Sequence, residues 1–396
     1  MKVLSINTGS SSIKCALYET PKEQLLMKGE IERIGQNPAL ITFEIGGIKH
    51  DLKRDIANYH QGVEFFLGIL IENETKILRS MDEIEAVGHR VVHGGSKFSR
   101  PEIINDEVML LIKKYAEFAP LHGFANIAAI ESCRKLLPKS RNVALFDTAL
   151  YQAIPPKAYL YGLPIEMFEK HGIRRYGFHG INHGYVAEEA ARLIGRPLEG
   201  LRLITCHLGS GSSITAFNNG VAVDTSMGFT PLEGVLMGTR PGDLDAGILI
   251  YILKHLGLNA DQLEELLNKD SGLKGLCGEN DMRDIISLAE KGDEKAQNAL
   301  DTFVYRVQKY IGSYTAVIGG LNAVVFTAGI GENSAIIREK ILSPFGCLDL
   351  KIDKGKNRGN APIFSTGDSS VYAMTIAANE ELAIARETFG LVGNSR

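Results

Sequence analysis

One short pattern occurs twice in this chain, 200 residues apart, and the recurrence limits the available folds more than any other feature. Residues 4–16 read LSINTGSSSIKCA and residues 204–216 read ITCHLGSGSSITA. Each is an apolar run, a polar residue (Asn7 or His207), a glycine (Gly9 or Gly209), a serine-rich turn and a second apolar run. One such turn is ordinary, because Gly and Ser favour hairpins. Two at the same offset, each near the start of one half, predict two copies of one structural unit. The surrounding pattern is α/β. Short β-type runs at 3–6, 13–17, 86–92, 143–146, 203–206, 214–217 and 323–327 alternate with helical spacing over 106–117, 123–137, 182–194, 243–256, 294–318 and 379–389. The stretch 27–52, with KGEIERI and ALITFEI ahead of Gly46-Gly47, predicts consecutive antiparallel strands and therefore a mixed sheet. The proline-bearing stretch 151–164 (Pro155, Pro156, Pro164) is the candidate boundary between the halves.

Glycine-serine turns between strands aim backbone N–H groups and hydroxyls at one point, a surface suited to phosphate oxygens. Two of them facing each other would clamp a polyphosphate. Lys14 would add charge near the terminal phosphate; as a plain strand residue it would simply be solvated. A third glycine segment, Gly329-Ile330-Gly331-Glu332-Asn333-Ser334, predicts a glycine turn after the strand 323–327 and then a helix start, where a phosphate or nucleoside could meet the helix N-terminus. An N-capped helix explains Asn333-Ser334 equally well. The chain has no G-x-x-x-x-G-K-[ST], G-x-S-x-G or H-E-x-x-H, which removes the local signatures of Walker-type sites, α/β hydrolases and zincins.

Several polar residues stand in apolar or glycine-rich settings. Arg90, in GHRVVHGG, ends a predicted strand, and Arg240, in MGTRPGD, occupies a glycine-rich turn. A guanidinium fork suits carboxylate and phosphate oxygens, although either arginine could instead pair with surface acids. Asp147 follows the strand 143–146, the position of many active-site acids in α/β folds and also of a turn initiator. His122 and His179 are each followed by glycine. The spacing His179-x-x-x-His183 would place two imidazoles on one helical face, but no third metal ligand follows nearby. Asn379-Glu380-Glu381 reads as an N-cap with acids at the positive end of a helix dipole, and local spacing by itself gives Glu380 no metal role.

Composition narrows the function classes. Lys and Arg total 43 against 47 Asp and Glu, a formal charge of −4, so nothing in bulk would hold nucleic acid. Five scattered cysteines without a C-x-x-C pair argue against a disulfide framework and a zinc site, and fit a reducing cytoplasm. The few apolar residues before Asn7 are too short for a signal peptide. The longest apolar run, near 248–253, stops at Lys254, short of the ~20 residues of a membrane span.

Taken in order, these motifs resemble the acetate kinase family of the acetate and sugar kinase/Hsp70/actin superfamily. The matches are NTGSSSIK at 7–14, GHRVVHGG at 88–95, LHG at 121–123, FDT at 146–148, YGFHG at 176–180, HLGSGSS at 207–213, DTSMGFTPLEG at 224–234, MGTRPGD at 237–243, TAGIGENS at 327–334 and NEELAIARET at 379–388. The resemblance implies two duplicated ribonuclease H-like (actin-like ATPase) domains with mixed sheets flanked by helices and an active-site cleft between them. The first would span 1–149, completed by a C-terminal helix 382–396, and the second 150–381. It also implies a homodimer that transfers the ATP γ-phosphoryl group to acetate, giving acetyl phosphate and ADP, with Mg²⁺ or Mn²⁺ in its place.

Carried over by position, Asn7 and Glu380 would support the metal, Lys14 would bind ATP and Arg90 would hold the acetate carboxylate. Asp147, His179, Arg240 and His122 would form the catalytic set. Val92, Leu121, Phe178 and Pro231 would receive the methyl group. The nucleotide would lie on His207, Leu208, Gly209, Ser210 and Gly211, on Asp281, Met282 and Arg283, and on Gly329, Ile330, Gly331, Glu332 and Asn333. The same motifs leave propionate kinase open as an alternative and, more remotely, a chaperone-like or filament protein of the same fold. The chemistry agrees independently. Acetate is already ionised at neutral pH, since carboxylic acids have pKa values near 4, so the reaction needs cationic neutralisation of two anions more than it needs a base. Asp147 then has an orienting or metal-linked role before that of a base.

Overall fold

The structure, a computed structural model, describes residues 1–9, 11–72, 77–118 and 120–393, without the side chains of residues 118 and 120–122. The chain forms two compact units, Met1–Gln152 with Asn379–Arg396, and Ala153–Ala378. The first contains strands β1 (Lys2–Thr8), β2 (Ser12–Glu19), β3 (Gln24–Glu32), β4 (Ala39–Ile45), β5 (Ile48–Arg54), β6 (Ile84–Val91), β7 (Glu102–Ile103) and β8 (Arg141–Phe146), in sheet order β5-β4-β3-β2-β1-β6-β8-β7. The second contains β9 (Arg202–Leu208), β10 (Ser212–Asn218), β11 (Val221–Thr225), β12 (Ala323–Thr327) and β13 (Tyr372–Thr375), in order β11-β10-β9-β12-β13.

The repeat seen in the sequence is a repeat of topology. In β3-β2-β1-β6-β8 the pairings run antiparallel, antiparallel, parallel, parallel. The series β11-β10-β9-β12-β13 has the same senses in the same order. The two hairpins differ in one detail. Thr8 faces Ile13 in the first, whereas Leu208 faces Ser212 in the second. The second turn closes one residue sooner, with Gly209 N–H donating to Gly211 O where Gly9 N–H donates to Ser12 O. The residue equivalent to Lys14 is therefore Ser213, not Ile214, and the cross-strand pairs Asn7–Lys14 and His207–Ser213 occupy matching places.

The central strands of both sheets are buried on both faces under helices, which explains their near-continuous apolar runs. In the first unit Val63, Phe66 and Leu70 of the helix Tyr59–Ile71 join Leu4, Ile6, Ile13 and Leu17 in one core. In the second, Phe303, Val307 and Ile311 of the helix Glu294–Val317 pack with Ile204, Cys206, Ile214, Val324 and Phe326. Each fully buried side chain of this size contributes roughly 1.5–3 kcal/mol. The helix Glu380–Gly393 covers the other face of β1 and β6. Its approach requires Gly88, where an added methyl would lie 2.2 Å from Thr388 Oγ1 and 2.6 Å from Ile384 Cγ2. That close approach seats the middle of the helix, which begins at Glu380, on the sheet of the first unit. Among the described residues no helix is long and apolar enough to cross a membrane.

Three buried histidines make the fold sensitive to acid. Burial lowers His89 to about 4, against a smaller opposing effect of its bond to Asn142, and burial lowers His93 to about 4. Burial, with His207 nearby, holds His183 well below the ordinary value. Each is neutral when folded but takes up a proton in the unfolded chain below pH ~6.5. The unfolded state then binds more protons, so this stability is complete above pH ~6.5 and is lost as pH falls toward about 4. Urea midpoints measured from pH 7 to 4.5 should fall, and His89→Gln should flatten the dependence. A wild-type midpoint that stays level or rises on acidification would contradict this.

Candidate functional site

In the first unit the parallel strands β1, β6 and β8 bring Asn7, Arg90 and Asp147 together at their C-terminal ends. Arg90 Nε and Nη2 both donate to Asp147 Oδ2, at 3.0 and 2.6 Å, and Nη1 donates to Asn7 Oδ1 at 3.1 Å. Asp147 is fully buried and the Arg90 side chain is 14% exposed. A guanidinium has five N–H donors, so these three bonds leave one N–H on each Nη, a fork of the right shape for a carboxylate. Burial alone would weaken the charge on Arg90, but Asp147, Glu380 and Glu381 outweigh it and hold the guanidinium above its ordinary pKa.

Glu380 joins this group from the other end of the chain, with Asn7 Nδ2 donating to Glu380 Oε2 at 2.7 Å and to Glu381 Oε1 at 3.5 Å. Arg90 can only donate, so Asn7 must show it the amide oxygen and turn the NH₂ toward the acids. Burial, then the neighbouring Glu380, pushes the Glu381 carboxyl above the usual carboxylate range. Asn379 caps the same helix through Leu382 N at 3.1 Å, so the capping role and the site role coexist.

Among the described residues no cluster of three or more His, Cys, Asp or Glu is arranged to hold a metal. Glu380 and Glu381 nonetheless supply hard oxygen donors of the kind Mg²⁺ takes, one or two carboxylates completed by water and substrate phosphates. Asn7 orients Glu380 rather than offering oxygen beside it. A residue that sequence reading missed, Asn126, braces the site: its Nδ2 donates to Thr8 Oγ1 at 2.6 Å and its Oδ1 accepts from Val92 N at 3.1 Å. Its one sequence signal is an amide inside the otherwise apolar stretch FANIAAI. Lys14 stands opposite Asn7 on β2, half-exposed and 3.6 Å from Glu30. Leu121 and His122 lie in the helix Pro120–Leu136, but their side chains are outside the described residues.

The second unit holds a cavity of about 560 Å³ where three segments meet. Gly209 and Ser210 supply the turn; Asn280, Asp281, Met282, Arg283 and Ile286 form one wall; Gly329, Ile330, Asn333 and Ser334 form another. Asp281 caps the helix Met282–Glu290, and its bonds with Arg283 draw its pKa down to about 2. Five of the other residues expected at the nucleotide, His207, Leu208, Gly211, Gly331 and Glu332, do not line this cavity. Leu208 is a core residue, and His207 turns toward Asn182. Gly331 is buried, and Glu332 Oε1 accepts from Ala378 N at 2.8 Å.

The expected glycine turn is also corrected. Residues 328–333 are themselves helical (Ala328–Asn333), and the reversal occurs at Ala328, with φ of 63°. The short helix is anchored by Arg338, fully buried and, among the described residues, with no carboxylate partner. Its guanidinium donates to Gly331 O, Glu332 O, Asn357 O, Asn357 Oδ1 and Asn360 Oδ1 at 2.7–2.8 Å. Burial lowers it to about 10, so it stays charged at neutral pH.

Beside the turn stand His179 and Arg240. His179 takes φ of 57° as the N-cap of the helix Gly180–Ile194, and its ring stacks on His207 with centroids 4.0 Å apart and planes at 8°. A methyl added at Gly211 would lie 3.7 Å from His179 Nε2 and 4.0 Å from Arg240 Nη1, so both groups border the turn. Burial lowers the pKa of Arg240, and among the described residues no carboxylate pairs with it. Such an unneutralised guanidinium, partly withdrawn from water, has the chemistry to attract an anion. His183 shares no metal site with His179; both of its ring nitrogens meet hydroxyls. Val92 is buried in the first unit; Phe178 is buried and Pro231 half-buried in the second.

The repeated sheet plan and this glycine-lined cavity define a member of the superfamily of actin, Hsp70 and the sugar kinases. The model of the acetokinase family matches residues 2–386. An acetate kinase of Carboxydothermus hydrogenoformans is 48% identical over 398 residues, covering 100% of both chains. Among solved structures, an acetate kinase of Porphyromonas gingivalis superposes with a TM-score of 0.92 at 40% identity, covering 99% of each chain. A propionate kinase of Francisella tularensis does so with a TM-score of 0.92 at 41% identity, covering 99% of this chain and 100% of its own. The chain belongs to the acetokinase family.

Proposed function

We propose that this chain is a phosphotransferase that moves the γ-phosphoryl group reversibly between ATP and acetate, giving acetyl phosphate and ADP. The observation that carries the reading is Arg240, a partly buried guanidinium without a carboxylate partner among the described residues, set with His179 beside a glycine turn next to the cavity. The turn and cavity take the nucleotide. Arg90 takes the acetate carboxylate on its two remaining N–H groups, and Asp147 holds that guanidinium in place, a positioning role that agrees with an acceptor needing no base. Arg240 and His179 meet the charge on the phosphoryl group as it transfers, where preformed donors are worth most. Mg²⁺, or Mn²⁺ in its place, bound through Glu380 with Glu381 nearby, would neutralise charge on the phosphates. Lys14 adds a cation at the same hairpin, while the parts assigned to Leu121 and His122 rest on the family resemblance alone.

The propionate kinase relative at 41% identity favours a second reading, propionate as acceptor. One methylene in an apolar pocket discriminates by only ~1–3 kcal/mol, so the preference depends on the methyl pocket around Val92. The five free cysteines and the use of ATP support a cytoplasmic location.

Assembly as a homodimer is part of the same proposal. The helix Ala246–His255 buries none of its residues, yet Ile248, Ile250, Tyr251 and Leu253 on it are between 42% and 57% exposed. An apolar helix so exposed is a surface for a second copy.

With Mg-ATP, acetate and hydroxylamine, the enzyme should accumulate acetyl hydroxamate, and Arg240→Ala should lower turnover by about 10³–10⁵. ATP hydrolysis without hydroxamate, or a variant within tenfold of wild type, would contradict the assignment. Comparing kcat/KM for acetate and propionate decides the acceptor. In sedimentation velocity at micromolar concentration the chain should run as a dimer and Ile250→Glu/Tyr251→Glu as a monomer; unchanged sedimentation would exclude this helix from the interface.

A further inference from the structure

The helix Gly180–Ile194 meets β9 and β10 through polar groups that the transfer reaction does not itself require. His183 is completely buried, as are Thr205 and Ser213. Thr205 Oγ1 lies 2.6 Å from His183 Nδ1, Ser213 Oγ lies 2.7 Å from His183 Nε2, and the same Ser213 Oγ lies 2.9 Å from His179 Nδ1. The four groups form one continuous chain ending at His179, whose Nε2 edge borders the Gly211 turn beside Arg240.

The direction of this chain follows from donor counting. A neutral imidazole has one N–H and one lone pair, so the two hydroxyls on His183 must play opposite roles. In one arrangement His183 Nδ1–H donates to Thr205. The Thr205 hydroxyl proton would then be buried with no acceptor, because among the described residues Thr205 Oγ1 has no other partner. A buried unsatisfied donor costs about 1–3 kcal/mol. In the other arrangement Thr205 O–H donates to His183 Nδ1, His183 Nε2–H donates to Ser213 Oγ, and Ser213 O–H donates to His179 Nδ1. Every hydroxyl proton and ring N–H in this chain then has a use, and His179 carries its own proton on Nε2. The burial that keeps His183 neutral agrees with this requirement. The ring stacked on His179 has an amide neighbour of its own, with Asn182 Nδ2 lying 2.8 Å from His207 Nδ1.

We propose that Thr205, His183 and Ser213 form a one-way hydrogen-bond relay that fixes His179 as the Nε2–H tautomer, so that a ready-made donor faces the transferring phosphoryl group. His183 and Ser213 are thus positioning residues that act through His179. The assignment of what that donor meets rests on the phosphotransferase reading; the tautomer itself does not.

The test uses full-length enzyme labelled with ¹⁵N-histidine, with two-bond ¹H–¹⁵N correlation spectra at pH 8 and His179→Gln to assign the ring. His179 should show a protonated Nε2 and an unprotonated Nδ1. Ser213→Ala should turn that signal into a mixture of tautomers and lower kcat about 10–100-fold, the range found on removing hydrogen-bond partners that orient metal-bound histidines, with KM for ATP and acetate within threefold. Thr205→Val, which removes the first donor, should alter the His179 signal in the same direction and serves if Ser213→Ala does not fold. A wild-type His179 protonated on Nδ1, or a signal unaffected by the folded variants, would overturn the relay. An Nε2–H signal in an enzyme that makes no acetyl phosphate would support the relay while overturning the proposed reaction.

Discussion

The site in the first unit depends on a guanidinium that stays charged where water is scarce. Removing an ion from water is costly unless it is paired, and Arg90 meets this condition through one oxygen of Asp147 and the amide oxygen of Asn7. The pairing is deliberately incomplete in a chemical sense: it secures the charge and the plane of the fork but leaves two N–H groups unspent. Asn7 then links that cation to Glu380, so a basic group and an acidic group are held at fixed separation by a single amide. Arg240 is arranged oppositely. No carboxylate offsets it among the described residues, and its charge is available to whatever anion reaches the glycine turn.

Duplication explains why both units carry polar side chains at matching places. The cross-strand pair near the end of β1 is Asn7 and Lys14; its counterpart near the end of β9 is His207 and Ser213. One hairpin scaffold thus presents an amide and a cation in the first unit, and an imidazole and a hydroxyl in the second. The shortened second turn keeps these pairs equivalent while changing which residues occupy them. Different chemistry has been placed on a common backbone plan, the general relation between folds and sites.

Much of this was legible in the sequence because it is local. The hairpins follow from apolar runs flanking Gly-Ser turns, the mixed sheet from 27–52, and the placement of Arg90 and Asp147 at strand ends from the apolar runs before them. The rest depends on contacts between distant residues. Glu380 meets Asn7 across 373 positions, and local spacing shows only an N-cap there. Asn126, Arg338 and His183 do their work buried, where a polar residue in an apolar stretch is a signal without an address. The register slip between the hairpins was hidden because Gly209 and Ser212 still align by eye, and the helical Ala328–Asn333 because two glycines in six residues read as a turn.

The claim on which the account turns is that the geometry of the Arg90 fork, beyond its charge, receives the acceptor carboxylate. Arg90→Lys retains a cation opposite Asp147 but removes the paired N–H groups. The most direct measurement is kcat/KM for acetate in that variant, with KM for ATP as the control. The account predicts a loss of at least about a hundredfold, the equivalent of one to two charge-assisted hydrogen bonds, with the ATP value within threefold. Acetate kinetics within threefold of wild type would contradict it.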